Sequence, residues 1–187
     1  MDKFLDYLRS IHPLPEGCAE YLQIIVKRKE YARKEFLLRS GQVCRNVYFV
    51  EEGLLRCYYL KDGMEVSSWF MKEGGICMSV ESFLRQECSQ ENIQALENTV
   101  VYFIHHKELE EVCRGFPAFE TIARSLLKEF YIRSEQRSFS IRMQKTHERY
   151  DWIREKFPDL LQRVPAKYIA SYLGMTEVML SLIRRRK

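Results

Sequence analysis

With 187 residues, 46% of them hydrophobic and 30% charged, the chain can fill one large domain or a domain with a small module, which excludes a disordered polymer. The opening stretch MDKFLDYLRS carries charges throughout, so it is no secretory signal, and runs such as Leu22–Val26 and Val100–Ile104 are too short to span a bilayer. The expected setting is a soluble, cytoplasmic protein that touches no membrane. The net charge of +4 is unevenly placed: residues 142–187 hold 11 Lys/Arg against 5 Asp/Glu, whereas residues 1–141 hold 19 against 21. A basic C-terminal quarter on a mildly acidic body points to a polyanion met only by the tail.

Taken in chain order, EGCAEYLQIIVKRKEYARK (residues 16–34) reads as helical, with apolar residues every three or four positions. Short runs rich in Val, Phe, Tyr and Ile follow: KEFLLRSGQ, NVYFVEEG, LLRCYYLKDG, EVSSWFMKEGG and, later, NTVVYFIHH. Gly41, Gly53, Asp62-Gly63 and Gly74-Gly75 break them. Short strands at regular spacing with such turns predict a compact β-barrel or β-roll. The six cysteines, Cys18, Cys44, Cys57, Cys77, Cys88 and Cys113, form no CxxC and no close set, so free and mostly buried thiols are expected rather than a metal site.

Pro117 to Lys145 contains neither Gly nor Pro after its first residue, which predicts one long helix. Phe119, Ile122, Leu126 and Phe130 recur at spacings of three, four and four, an apolar stripe fit to pack on the β domain or against a twin helix. From about Thr146 the chain is short, basic and helical in pattern, punctuated by Pro158 and Pro165. This gives three segments: 1–115, a β-roll with N-terminal helices; 116–145, a long helix; 146–187, a helix-turn-helix unit.

The last segment carries the clearest motif. A helix-turn-helix needs a small residue where the second helix crosses the first, a residue tolerant of positive φ at the turn, and apolar residues at fixed positions. Starting from Ala166, the positions fall on Ile169 (apolar), Ala170 (small), Leu173 (apolar), Gly174 (turn) and Met175, with Leu180 and Ile183 on the buried face of the second helix. Thr176 suits its N-cap. The outward positions are Thr176, Glu177, Val178, Ser181, Leu182 and Arg185, which would meet base edges or phosphates in a major groove. Arg184, Arg185, Arg186 and Lys187 would favour phosphates, giving affinity with little sequence information. Val178 and Leu182 are apolar; they fit thymine methyl groups or, alternatively, a protein surface.

A β-roll, a long helix and a C-terminal helix-turn-helix together resemble the Crp/Fnr family of bacterial transcription regulators. The likeness rests on NVYFVEEGLLRCYY, on ESFL…NIQALENTVVYFI and on RVPAKYIASYLGMTEVMLSLIRR. It implies an α+β fold: a double-stranded β-helix of the cyclic-nucleotide-binding type, a homodimer joined by the long helix at Phe119, Ile122, Leu126 and Phe130, and double-stranded DNA as partner. It also admits RNA polymerase as a partner. Palindromic half-sites would lie about 34 Å apart.

Cyclic-nucleotide binders of this fold hold the phosphate with a Gly-Glu pair and an Arg followed by a small hydroxyl residue. The matching stretch, MSVESFLRQECSQENIQA, has Val80 before Glu81 and either Ser89 or Glu91 at the Arg position; Arg85 is offset by several residues. A neutral or acidic group there cannot neutralise a cyclic phosphate, so cyclic AMP and cyclic GMP are not expected. An unknown small-molecule effector, if one is used, would sit in the roll beside the 79–92 loop. Ser79, Glu81, Ser82, Ser89 and Asn92 would supply polar contacts, and Phe70 and Phe83 apolar walls. An enzyme is not expected: His12, His105, His106 and His147 do not converge as a metal-binding barrel needs, and no nucleophile–base pair or phosphate loop is present. The alternative is a ligand-sensing or protein-interaction module whose weakened helix-turn-helix reads no specific DNA.

Overall fold

The computed structural model describes residues 1–185 of the chain. Helices α1 (Asp2–Ile11) and α2 (Cys18–Ile25) precede strands β1 (Lys27–Tyr31), β2 (Phe36–Leu38), β3 (Asn46–Glu52), β4 (Leu54–Lys61), β5 (Met64–Lys72) and β6 (Ile76–Cys77). The short helix α3 (Val80–Arg85) leads to β7 (Glu91–Ala95) and β8 (Thr99–His105). Helices α4 (His106–Gly115), α5 (Phe119–Met143), α6 (Thr146–Lys156), α7 (Pro158–Arg163), α8 (Ala166–Tyr172) and α9 (Glu177–Arg185) follow.

The strands form two four-stranded antiparallel sheets, in the orders β1-β8-β3-β6 and β2-β7-β4-β5. Alternation along each strand turns one set of side chains inward. Val50 and Val101 of the first sheet meet Leu55, Ile93 and Ala95 of the second in one buried cluster. The β4–β5 hairpin closes at Asp62-Gly63, both at positive φ, as a two-residue turn with the right twist requires. Gly53, between β3 and β4, has φ +94°; a Cβ there would lie 2.7 Å from the Asn98 carbonyl oxygen, so the close approach of the two chain segments needs glycine.

The helical expectation for residues 16–34 holds only as far as Ile25. Val26 turns extended (φ −71°, ψ 126°), and Lys27–Tyr31 then pairs with Phe103–Thr99 of β8. The local helix preference of a Lys/Arg/Glu-rich run loses to a ladder that satisfies the edge of β8.

The long helix exists within the expected bounds. At 25 residues it spans about 37 Å. Its stripe is used inside the chain: Phe119 and Ile122 are fully buried with α1, α2 and α4, and Leu126 and Phe130 pack half-buried on the same cluster. Phe119 and Ile122 are therefore not free to meet a second copy. The apolar side chains that α5 leaves exposed lie elsewhere on its surface and include Ile132, Phe139 and Met143, spaced seven and four apart on one face.

Helices α6 to α9 enclose a further apolar cluster built on Ile153, Ile169, Leu173 and Leu180. Leu54, Phe70 and Leu96 of the roll belong to the same cluster, so the C-terminal helices are seated on the β2-β7-β4-β5 sheet. Among the described residues, no helix is long and apolar enough to cross a membrane.

Candidate functional site

Two places are candidates for function: the α8–α9 pair and a cavity between the roll and α5. In the pair, Gly174 sits at φ +65° between the helices. Its N–H donates to the Ser171 carbonyl (3.1 Å), and the Met175 N–H donates to that of Ala170 (3.0 Å), closing the end of α8. The Thr176 hydroxyl accepts from the Met179 N–H at 3.2 Å, the N-cap geometry. Ile169, Ala170, Leu173, Leu180 and Ile183 are buried between the helices, with Met175 packed beside them. Thr176, Glu177, Val178, Ser181, Leu182, Arg184 and Arg185 are all exposed on α9 and its cap. Val178 is 70% and Leu182 47% exposed, so neither is used in the chain's own core. Arg186 lies outside the described residues.

The cavity, about 840 Å³, opens between the roll and α5. Cys57, Trp69, Met71 and Cys77 form its strand wall, and Leu127, Phe130 and Tyr131 of α5 its roof. Four of the seven expected effector contacts line it: Ser79, Glu81, Ser82 and Ser89. Three of these do structural work or face away. The Ser82 hydroxyl accepts from the Cys44 N–H (2.9 Å) and donates to the Glu87 carbonyl; the Ser89 hydroxyl accepts from the Glu91 N–H (2.9 Å). Glu81 points into solvent beside Arg85, at 3.7 Å.

The other three lie elsewhere. Phe70 stands on the outer face of β5 with its ring 5.4 Å from that of Tyr172. Phe83 is buried under α3 against the His106 ring. Asn92 turns its Oδ1 to the Ser40 N–H at 3.0 Å. Strand alternation explains the misplacement of Phe70: its neighbours Trp69 and Met71 face the cavity, so Phe70 cannot.

The charged group that does reach inside is Glu91, 5% exposed, whose carboxylate accepts from the Ser68 hydroxyl at 2.5 Å. Burial pushes its carboxyl above the ordinary range; the Ser68, Ser79 and Tyr59 hydroxyls partly offset that. Arg85, the cation on the wall, has a largely exposed side chain. The cavity therefore offers an acidic acceptor at depth and holds its positive charge at the rim, the reverse of a phosphate cradle. Beside it the Cys57 and Cys77 sulfurs lie 3.6 Å apart. The hydrogen bond to Cys77 and burial push the Cys57 thiol up, and burial pushes Cys44 up to about 11, which leaves these thiols protonated and weakly reactive. His105 caps α4 through its Nδ1, which accepts from the Lys107 N–H, and lies outside the cavity wall. Among the described residues, no group of three or more His, Cys, Asp or Glu could hold a metal ion.

A third arrangement, not foreseen from the sequence, joins the two sites. Helix α8 rests on β4 and β5. The Ser171 hydroxyl lies 2.8 Å from that of Ser67 and accepts from its N–H at 3.1 Å. The fully buried Arg56 guanidinium stacks 3.6 Å over the Tyr168 ring, donates from Nε to Ser67 and pairs with Glu65 at 2.6 Å. At the edge, Arg163 clasps Glu73 and Glu97, and Lys72 meets Asp159 at 2.9 Å. From α5, Arg137 donates to the Tyr172 carbonyl and lies 3.8 Å over its ring. No short-range pattern marks the contacts to α8, because Ser67–Ser171 and Arg56–Tyr168 link positions more than 100 residues apart in the chain.

Comparison with known proteins shows what this geometry is similar to. Residues 28–116 match the model of the cyclic nucleotide-binding domain. No match is found among the curated proteins. Among solved structures, the chain is similar to a CooA variant from Carboxydothermus hydrogenoformans (TM-score 0.71, 17% identity, 88% of this chain and 77% of that one). It is likewise similar to FixK2 from Bradyrhizobium japonicum (0.71, 18%, 87% and 84%). A third is the c-di-GMP responsive regulator CLP from Xanthomonas campestris (0.69, 14%, 92% and 91%). At these identities the likeness shows the fold, and that fold is the one of Crp/Fnr regulators. Residues 28–116 thus match the cyclic nucleotide-binding domain, within a chain that has the Crp/Fnr regulator fold.

Proposed function

We propose that the protein is a cytoplasmic, homodimeric DNA-binding transcriptional regulator with no enzymatic activity, whose roll cavity takes a small effector other than a cyclic nucleotide monophosphate. One observation carries the DNA reading: α9 buries Leu180 and Ile183 against α8 while Glu177, Ser181, Arg184 and Arg185 stay exposed on a basic segment. That division suits a helix lying in a major groove with its arginines toward phosphate. The dimer reading rests on the second face of α5, where a twin helix would cover Ile132, Phe139 and Met143. The effector reading rests on Glu91, whose buried carboxyl repels phosphate and favours a hydrogen-bond donor or a cation.

Mobility shift with mixed-sequence duplex DNA across a salt series tests this function. Binding that weakens steeply with salt is expected, and Arg184→Glu with Arg185→Glu should weaken all duplexes together. No shift even at low salt would sink the proposal. It would favour the second reading, a protein-interaction module docking through Val178 and Leu182, which their exposure supports.

A further inference from the structure

Strand β5 breaks its alternation at one residue. Against β4, Cys57 pairs with Trp69 and Tyr58 pairs with Ser67, which leaves Ser68 without a partner: a β-bulge. Trp69 and Met71 face the cavity and Phe70 faces α8. Regular alternation would therefore turn Ser68 outward as well. The extra residue turns it inward instead, where its hydroxyl donates to the buried Glu91 carboxylate at 2.5 Å. It also leaves Ser67, its chain neighbour, on the outer face, where the Ser67 N–H and hydroxyl both engage the Ser171 hydroxyl of α8. Two adjacent serines thus touch the two sites from opposite sides of one strand.

We infer that Ser68 is a positioning residue: its hydrogen bond to Glu91 sets the bulge that holds Ser67 against Ser171, and so ties the occupancy of the roll cavity to the seating of the first helix of the DNA-binding pair. This deepens the proposed function and rests on it for its biological meaning. The joint is short. From the Glu91 carboxylate to the Ser171 hydroxyl, the path crosses two hydrogen bonds and one peptide unit. A bulge is also the place where a strand can shift without breaking a ladder pair, because its extra residue pairs with nothing. A ligand that donates to Glu91 competes directly with the Ser68 hydroxyl. When Ser68 lets go, Ser67 loses the backbone geometry that presents its N–H to α8. The buried Arg56 sits at the same joint, bonded to Ser67 and stacked on Tyr168, so movement of Ser67 also disturbs that stack. A ligand biases seating only by its differential affinity for the two bulge states, which is the thermodynamic content of the coupling.

The test is amide hydrogen exchange on the full-length chain without any ligand, read over α8. Ser171→Ala removes the acceptor of the Ser67 N–H and the partner of the Ser67 hydroxyl together, and should speed exchange there about three- to tenfold, the range for a lost hydrogen bond. Ser68→Ala touches α8 nowhere, yet should speed the same amides to a similar extent. The double variant should be no faster than the faster single. Ser68→Thr, which keeps the hydroxyl, should return α8 to wild-type exchange. Amides of β3 and β8 report whether the roll stays folded. Should Ser68→Ala loosen them too, Glu91→Ala replaces it: removing the acceptor must also free α8. Unchanged α8 exchange in Ser68→Ala with a folded roll, or in Glu91→Ala, overturns the inference, as does a double variant whose effect is the product of the two singles. Failure to bind DNA would sink the proposed function and leave these exchange results standing, so the two can fail separately.

Discussion

The α8–α9 pair and the roll cavity are the two candidate sites of the molecule, and they are assembled in opposite ways. In the pair, residues near in the chain are near in space: Ile169, Ala170, Leu173, Leu180 and Ile183 meet because helical geometry repeats every 3.6 residues and the turn at Gly174 folds one helix onto the other. In the cavity, Cys57, Glu91 and Leu127 line one space although 70 residues separate the first from the last. The pair is specified by local rules and is modular. The cavity is specified by sheet register, and a one-residue shift re-aims its side chains. The contacts between them, above all the Arg163 clasp and the Ser67–Ser171 bond, make the modular part dependent on the register of the other.

Emptying the core of the pair gives the largest expected effect. Leu180 is 1% exposed among Ile153, Ile169 and Leu173. Leu180→Ala should cost about 2–5 kcal/mol. If the pair is a module, the loss shows as local unfolding of α8 and α9 in hydrogen exchange, with β3 and β8 protected as before. Loss of protection across the roll at the same denaturant concentration would show that the shared residues Leu54, Phe70 and Leu96 fuse the two parts into one cooperative unit.

Arg163→Met addresses the clasp. Removing the guanidinium leaves Glu73 and Glu97 facing each other at the sheet edge. The side chain of Arg163 is a quarter exposed, so solvent screens the pair and the expected cost is about 1 kcal/mol or slightly more. The expected readout is a lower Tm together with faster exchange in α7 and α8. A Tm unchanged to within 1 °C would mean the clasp contributes nothing to the seating.

Gly174→Ala should cost about 1 kcal/mol, because an L side chain at φ +65° is strained. The added methyl would come 3.4 Å from the tip of Ile141, a contact the flexible chain end can relieve, so backbone strain dominates. Thermal melts of Gly174→Ala and Gly174→Asn separate the two causes: Asn tolerates this conformation and should recover most of the loss.

These contrasts explain what the sequence made legible. The frame Ile169, Ala170, Leu173, Gly174, Leu180 and Ile183 was readable because every partner lies within a few turns. The roll was readable as a class from its turns. The positions of Phe70 and Asn92 were not, since their facing depends on strand pairing that no local signal marks, and neither was that of Phe83, which the short helix α3 turns onto His106. The strand β1 was hidden inside a helix-like run because its stabilising partner, β8, lies some 70 residues later. On α5 the stripe at Phe119 and Ile122 was visible, but periodicity cannot say which of two apolar faces meets the chain's own core.

The smallest expected effect is also the sharpest on the cavity. Burial raises the Glu91 carboxyl above its ordinary value of 4.5 in the folded chain, while in the unfolded chain it titrates normally. Between those two pH values the folded state holds a proton that the unfolded state has lost. Stability from this group is thus fully present below about pH 4.5 and is lost as pH rises through the folded value. Glu91→Gln keeps a carbonyl oxygen for the Ser68 hydroxyl and removes the titration. The variant should therefore melt at or slightly above the wild type at pH 8, with its advantage shrinking as pH falls toward 4. A wild type that melts higher than Glu91→Gln at pH 8 would mean that a cation or an unrecognised donor already compensates the carboxylate at depth.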